Sequence, residues 1–182
     1  MTKDTRVISV FGSSAPLPGS PAYEDAVAVG RLLAEAGFAV ATGGYAGTMA
    51  GASQGASEAG GHVIGVASER IERFRNAGVN QFVKEVIKYD TLSDRLLHLV
   101  KNNDGVIVLP GGIGTLSEMA LAWSLIQVGE VDKRPIALLG DIWSETVRAF
   151  VRPEYVTEAH LAQLYFANTP ADAVAHLVKN CR

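Results

Sequence analysis

The stretch LPGGIGTLSEMA, Leu109–Ala120, places a hydroxyl and a carboxylate directly after a glycine-rich turn. Thr115 and Glu118 stand three residues apart at the start of a helix that the pattern predicts over 115–128. This spacing is typical of a capping box, in which Thr115 accepts from the N–H of Glu118 and Glu118 accepts from the N–H of Thr115. The same spacing also puts the Glu118 carboxylate at the mouth of the glycine-rich turn, where it can meet a ligand. Both interpretations of Glu118 stay open at this point.

Arg95 is the second residue with the chemistry of a catalytic or binding group. The spacing predicts a helix over 91–103, and Arg95 lies in its second turn at the edge of an apolar stripe. The stripe consists of Leu92, Leu96, Leu99 and Val100. The cation therefore lies close to the core and near the edge of the sheet where a ligand is expected. The alternative is an arginine that packs its stem on the core and keeps its guanidinium in water.

Three loops rich in small residues follow predicted strands: FGSSAPLPGS, TGGYAGTM and PGGIGT. Glycine lets a backbone approach a ligand closely, and free N–H groups at the next helix start favour an anion. We therefore expect a phosphate site, although tight strand-to-helix turns also use glycine. Dinucleotide redox chemistry and NTP hydrolysis are not indicated, because neither G-x-G-x-x-G nor G-x-x-x-x-G-K-[ST] occurs. The candidate phosphate-binding residues are Ser13, Ser14, Gly43, Gly44, Gly47, Thr48, Gly111, Gly112, Gly114 and Thr115.

Short β-branched runs alternate with helical stretches along the chain, which favours crossover connections and a parallel sheet. Runs such as GVIVL and IALL are apolar throughout, as expected for strands covered on both faces. We predict a single α/β domain over 1–182, a doubly wound, Rossmann-like parallel sheet with helices on both faces. All three glycine-rich loops fall outside the carboxyl ends of its strands, where ligands bind in such folds. The predicted strands are RVISVF, FAVAT, HVIGVA, QFVKEVIKY, GVIVLP and PIALLG, and the predicted helices cover 21–36, 48–59, 91–103, 115–128, 141–151 and 170–179.

The segment Ser68–Asn80, SERIERFRNAGVN, is the most charged and least periodic part of the chain. We interpret it as a mobile connection or lid, and a solvated loop is the alternative. The rest of the sequence shows no linker, internal repeat or low-complexity tail.

Composition excludes several classes of partner. A formal net charge of -3 and a pI near 5.8 lack the basic character that nucleic-acid binding through backbone contacts requires. Cys181 is the one cysteine, and His62, His98, His160 and His176 show no metal-binding spacing, so we expect no disulfide, metal or cofactor. The apolar run near the N-terminus is too short for a signal peptide, and no membrane span is predicted. We therefore expect a cytoplasmic protein that contacts neither nucleic acid nor membrane.

The motif PGGIGTLSE is similar to the P-G-G-x-G-T-x-x-E motif of the LONELY GUY (LOG) family, phosphoribohydrolases long mislabelled as lysine decarboxylases. VFGSS resembles the family's first strand and Ser-Ser turn, and GGYAGTMAGASQGASEAGGHVIGV resembles its second glycine-rich loop, helix and third strand. Arg95 lies fifteen residues before Pro110, where the family has its functional arginine. By this resemblance Arg95 and Glu118 are catalytic. The residues that then hold the nucleotide are Gly111, Gly112, Gly114 and Thr115.

The resemblance implies hydrolysis of the N-glycosidic bond of AMP or a cytokinin riboside 5′-monophosphate, which gives free base and ribose 5-phosphate. It also implies a homodimer. The chain departs from the family pattern at Leu96, where the family has a lysine, and at Ser117, where it has the first of two glutamates. The alternative function is a non-catalytic protein that binds or carries a nucleotide or a phosphorylated cofactor, as the related molybdenum-cofactor carriers do. Turnover that depends on Glu118 distinguishes the two.

Overall fold

Strands and helices alternate along residues 5–75 and 78–181, the two stretches that this computed structural model describes. The strands are β1 Val7–Phe11, β2 Ala39–Thr42, β3 Val63–Ser68, β4 Glu85–Tyr89, β5 Gly105–Val108, β6 Ile136–Leu139 and β7 Leu164–Ala167. The helices are α1 Pro21–Glu35, α2 Thr48–Glu58, α3 Glu69–Arg75, α4 Leu92–Lys101, α5 Ile113–Gln127, α6 Asp141–Phe150, α7 Glu158–Leu161 and α8 Pro170–Asn180. Within these two stretches, no helix has the length and apolar character that crossing a membrane requires.

The strands form one parallel sheet in the order β4-β3-β2-β1-β5-β6-β7. The chain builds outward from β1 to β4 and then returns to place β5 on the other side of β1. β1 and β5 pair from Ile8↔Gly105 to Phe11↔Val108. This reversal is a topological switch point, at which the loops after β1 and β5 diverge and leave a crevice. The predicted α/β fold is confirmed.

Helices cover both faces of the sheet. Successive residues of a strand point to opposite faces, so each central strand contributes side chains to two separate core clusters. One core cluster joins Val10 and Ile107 to buried residues of α1, α2 and α8. The other joins Phe11 and Val108 to buried residues of α4, α5 and α6. The central strands therefore bury apolar side chains on both sides, which explains why their sequences are apolar without alternation.

Three short elements are absent from the sequence-based prediction. Strand β7, LYFA, forms the sheet edge beside β6, and the four-residue helix α7 precedes it. Helix α3 occupies Glu69–Arg75, in the segment for which we expected a mobile connection or lid. Residues 76 and 77 of that segment lie outside the described residues. Helices of seven and four residues, such as α3 and α7, span too few turns for a helical period to show.

Candidate active site

Arg95 and Glu118, the two candidate catalytic residues, meet in the interior of the protein. Arg95 lies in the first turn of α4, and Glu118 lies in the second turn of α5. Arg95 Nη1 and Glu118 Oε1 are 3.4 Å apart, and the two residues are only 5% and 7% exposed. The Arg95 Nε–H also donates to the Val66 carbonyl of β3 at 2.8 Å. The alternative in which the arginine keeps its guanidinium in water is therefore wrong.

Gly43 leaves room for the guanidinium of Arg95. A Cβ atom on Gly43 would lie 2.0 Å from Arg95 Nη2 and 2.6 Å from the Met49 sulfur. The centroid of the Tyr45 ring lies 5.7 Å from Arg95 Cζ, where cation–π attraction helps to stabilise a desolvated guanidinium. Gly43 is not among the residues that line the pocket beside the pair, so its contribution here is to position Arg95.

Burial raises the pKa of Glu118 from 4.5 to about 7, because a carboxylate loses its hydration inside the protein. The charge of Arg95 and its hydrogen bond lower the same pKa but offset only part of this desolvation. The geometry explains the balance, since one contact of 3.4 Å joins the pair and a bidentate arrangement of short bonds does not form. Glu118 therefore populates both protonation states near neutral pH, as a general acid or base must.

A pocket of about 370 Å³ opens beside this pair at the switch point of the sheet. The loops after β1 and β5 contribute hydroxyls and backbone groups to it, and Arg95 and Glu118 complete this polar side. Apolar side chains reach the pocket from the turn after β2 and from helices α2, α3 and α4. Of the ten candidate phosphate-binding residues, those that line the pocket are Ser13, Ser14, Gly112, Gly114 and Thr115.

Helix α5 begins two residues earlier than predicted, at Ile113, with Gly112 as its N-cap. No side chain caps this helix, so of the two interpretations of Thr115 and Glu118 the capping box is wrong. The extended backbone of Gly112, at φ -94° and ψ -155°, lets the helix start directly after the turn. The N–H groups of the first turn have no partner within the helix, and its residues line the pocket. Such a helix start favours a bound anion.

The second glycine-rich loop packs against the first loop and outside the pocket, apart from Tyr45 and Met49. Gly47, at φ 70°, lies so close to it that a Cβ atom would be 2.2 Å from the Ser13 carbonyl oxygen. The Thr48 hydroxyl is fully buried and donates to the same oxygen at 3.1 Å, so its proton is already committed within the protein. The other candidate glycines outside the pocket lining are Gly43, Gly44 and Gly111. The second loop thus fixes the position of the first.

Several lining residues carry no signal in the sequence. Tyr45 and Met49 reach the pocket from the turn after β2 and from α2, and Ile71 and Phe74 reach it from α3. The remaining lining residues that were not predicted are Gly12, Leu92, Leu96, Ile113 and Ser117. Apolar side chains of this kind cannot be told from core residues in one sequence. Of these residues only Phe74 stands out in the sequence, as the one aromatic side chain of the charged segment Ser68–Asn80.

Two tryptophans and Asp104 lie outside the pocket. Trp143 Nε1 donates to the Leu109 carbonyl at 3.1 Å, and Trp123 Nε1 donates to the His160 carbonyl at 2.9 Å. Asp104 precedes β5 and accepts from the backbone N–H at the start of β1 at 2.7 Å, at the opposite edge of the sheet. Over the described ranges, no three His, Cys, Asp or Glu side chains cluster closely enough to hold a metal ion.

The chain is similar to proteins named cytokinin riboside 5′-monophosphate phosphoribohydrolase. It is 33% identical over 135 residues to the LOG protein of rice, Oryza sativa subsp. japonica, a match of 74% of this chain and 54% of the relative. It is 28% identical over 174 residues to the protein of that name from Mycobacterium tuberculosis, a match of 92% of this chain and 90% of the relative. The match thus spans about half of the rice protein and most of the bacterial one.

A solved structure with the same fold is the molybdenum cofactor binding protein from the phototrophic bacterium Rippkaea orientalis. Its TM-score is 0.74 at 28% identity, and the match covers 96% of each chain. The LOG-named relatives confirm the resemblance indicated by the PGGIGTLSE motif. A model of the SLOG cluster4 family matches residues 5–169. Since that range is most of the sequence, the chain belongs to the SLOG cluster4 family.

Proposed function

We propose that this protein is a nucleoside 5′-monophosphate phosphoribohydrolase that acts on AMP or a cytokinin riboside 5′-monophosphate. Its products are then the free base and ribose 5-phosphate. The observation that carries the proposal is the buried Arg95–Glu118 pair on the polar side of a pocket between two glycine-containing loops. The names of the rice and M. tuberculosis relatives support this activity, and the pocket volume of about 370 Å³ suits a ligand of nucleotide size.

The polar side of the pocket offers donors for the phosphate group. The first-turn N–H groups of α5 and the hydroxyls of Ser13, Ser14 and Thr115 are suited to phosphate oxygens. In this arrangement the phosphate binds at the switch point, and the ribose lies beside Glu118. The glycosidic bond then falls at the boundary between the polar and the apolar side of the pocket.

Cleavage of the bond passes through an oxocarbenium-like state, which places positive charge on the ribose. In the proposed step a water oxygen bonds to C1′, the C1′–N bond breaks, and its electron pair goes to the base. Glu118 accepts one proton of that water and passes it to the departing base, because a pKa of about 7 makes both of its protonation states accessible. Arg95 holds the carboxylate in place through the 3.4 Å contact.

Release of free base from a panel of nucleoside 5′-monophosphates tests this proposal. The panel includes AMP and isopentenyladenosine monophosphate, and wild type is compared with Glu118→Gln. We expect wild-type turnover to fall by at least about a hundredfold in Glu118→Gln, the usual loss when a general acid or base is removed. Glu154→Gln, which removes an exposed carboxylate outside the pocket, is the control and keeps full activity. Turnover that survives in Glu118→Gln would refute the role of this carboxylate.

The second candidate is a non-catalytic protein that binds or carries a nucleotide or phosphorylated cofactor. The similarity to the R. orientalis molybdenum cofactor binding protein over 96% of the chain favours it. The polar side of the pocket suits this second function equally well, because backbone N–H groups and hydroxyls bind a phosphate group whether or not a bond is cleaved. Stoichiometric nucleotide binding without release of base, in wild type and Glu118→Gln alike, would establish this second function.

A further inference from the structure

The pocket is divided into a polar side and an apolar side, and the order of the strands explains the division. The central loops after β1 and β5 form the polar side. The segments after β2, β3 and β4, which succeed one another towards one edge of the sheet, form the apolar side. The side chains of this apolar side are Tyr45, Met49, Ile71, Phe74, Leu92 and Leu96. A ligand with its phosphate at the switch point therefore extends its other end over apolar groups.

Phe74 is the most exposed of these side chains. It is 91% exposed although it lines the pocket. The helix that carries it contacts the body of the protein through Glu72 of α3, which pairs with Lys88 of β4 at 2.6 Å. Ile71 of the same helix packs against the cluster of Tyr45 and Met49. An exposed aromatic ring at a pocket mouth offers a face that a planar ligand can cover.

The side chains of the apolar side provide little hydrogen bonding for the edge of a base. Tyr45 carries their one strong hydrogen-bonding group, and its hydroxyl donates to the Ser68 carbonyl at 3.1 Å. The same hydroxyl accepts from the Ser68 N–H at 2.9 Å, so backbone groups inside the protein already occupy it. Binding by stacking and apolar contact depends on the area of a ring system and tolerates changes in its exocyclic groups.

We propose that Phe74, together with Ile71, forms a platform that binds the base of a purine nucleoside 5′-monophosphate by stacking. The platform selects purines over pyrimidines by ring area, and it accepts a 6-amino and a 6-oxo group alike. This assignment rests on the proposed function for the class of ligand, and it is independent of whether the bond is cleaved.

Calorimetric binding of AMP, IMP, UMP and ribose 5-phosphate tests the platform. The measurements use Glu118→Gln as the background so that hydrolysis does not consume the ligands. We expect AMP and IMP to bind within about threefold of each other and UMP to bind roughly fivefold more weakly, because the smaller ring stacks less. Adding Phe74→Ala weakens AMP and IMP by about tenfold, as loss of one stacking face does, and leaves ribose 5-phosphate within about twofold.

Two further variants separate stacking from a general effect on the fold. Phe74→Tyr keeps an aromatic face, and it restores AMP binding to within about twofold of the background protein. Phe150→Ala removes an aromatic ring that is 66% exposed on α6 and does not line this pocket, and it leaves all four affinities unchanged. An equal loss of ribose 5-phosphate binding in Phe74→Ala would overturn the platform, and so would tenfold discrimination between AMP and IMP.

The outcome also separates the platform from the proposed activity, because base release is measured on the same Phe74 variants with Glu118 restored. If no variant releases base while the binding pattern holds, the hydrolase assignment fails and the platform stands. If Phe74→Ala releases base from AMP with unchanged kcat and KM, the platform fails and the hydrolase assignment stands.

Discussion

Glu118 couples the stability of the folded protein to pH. Its pKa is about 7 in the folded protein, against an ordinary value of 4.5. Because the folded state binds this proton more tightly than the unfolded state does, the associated stability is fully present below the unfolded pKa. It is lost as the pH rises from about 4.5 through about 7. The neutral Glu118→Gln variant has no such loss, so wild type should weaken relative to the variant as the pH increases.

The size of the effect follows from the difference between the two pKa values. A rise from 4.5 to about 7 corresponds to about 3 kcal/mol in full, at about 1.4 kcal/mol for each pH unit. Between pH 5 and pH 8 the expected change is about 2 to 3 kcal/mol, because part of the unfolded-state titration lies below pH 5. An arginine side chain in general carries its charge throughout this range, so the cost of the unpaired cation in the variant cancels between the two pH values.

Urea unfolding at pH 5 and pH 8, followed by the fluorescence of the buried Trp123 and Trp143, measures this change. The quantity of interest is the unfolding free energy of wild type minus that of Glu118→Gln at each pH. Glu154→Gln, with its exposed carboxylate, controls for the general effect of removing a negative charge. An equal difference at both pH values would refute the reasoning. An increase at pH 8 would show that attraction to Arg95 outweighs burial at Glu118.

The remaining predictions concern the position of Arg95 and the assembly. Gly43→Ala places a Cβ atom 2.0 Å from Arg95 Nη2. We expect base release to fall about a hundredfold, because Arg95 moves out of position. The free energy of unfolding changes by only about 1 kcal/mol, because the flexible arginine side chain can move aside. Gly78→Ala, which meets open space, is its control, and unchanged activity in Gly43→Ala would contradict the positioning role. We also expect light scattering to show a homodimer, with twice the chain mass of 19.2 kDa. The reason is that two large apolar side chains at the ends of α5 are exposed to solvent, Ile113 to 82% and Val128 to 69%. A monomer at micromolar concentration would contradict it.

The strands that carry the fold could be predicted because both of their faces are buried. A strand such as β5, GVIV, has no polar residue to interrupt its apolar run, and the same holds for β6, IALL. Strand β7, LYFA, is apolar as well, but it lies at the sheet edge, is half-buried in its middle and is flanked by no glycine. Helix α3 escaped prediction because its charged residues pair outside the core, as Glu72 does with Lys88.

The spacing of Thr115 and Glu118 shows why a local pattern cannot settle the role of a residue. The pattern fits a capping box, but the helix begins at Ile113, and Glu118 pairs with an arginine 23 positions away in the sequence. Whether a carboxylate caps a helix or enters a pocket depends on where the helix starts. That start depends here on the conformation of Gly112 and on the packing of α5 against α4 and the sheet.

The sequence by itself determined the class of fold, and it indicated the edge of the sheet with the candidate site and the two candidate catalytic residues. These properties follow from local patterns: apolar runs of strand length, glycine after strands, and one carboxylate and one arginine near that edge. Only the tertiary structure decided that Arg95 is buried against Glu118, that Gly43 and Thr48 support the site from behind, and that Phe74 lines the pocket. The physical reason is that burial, desolvation and contact depend on which elements become neighbours, and strand order sets this at a distance along the chain.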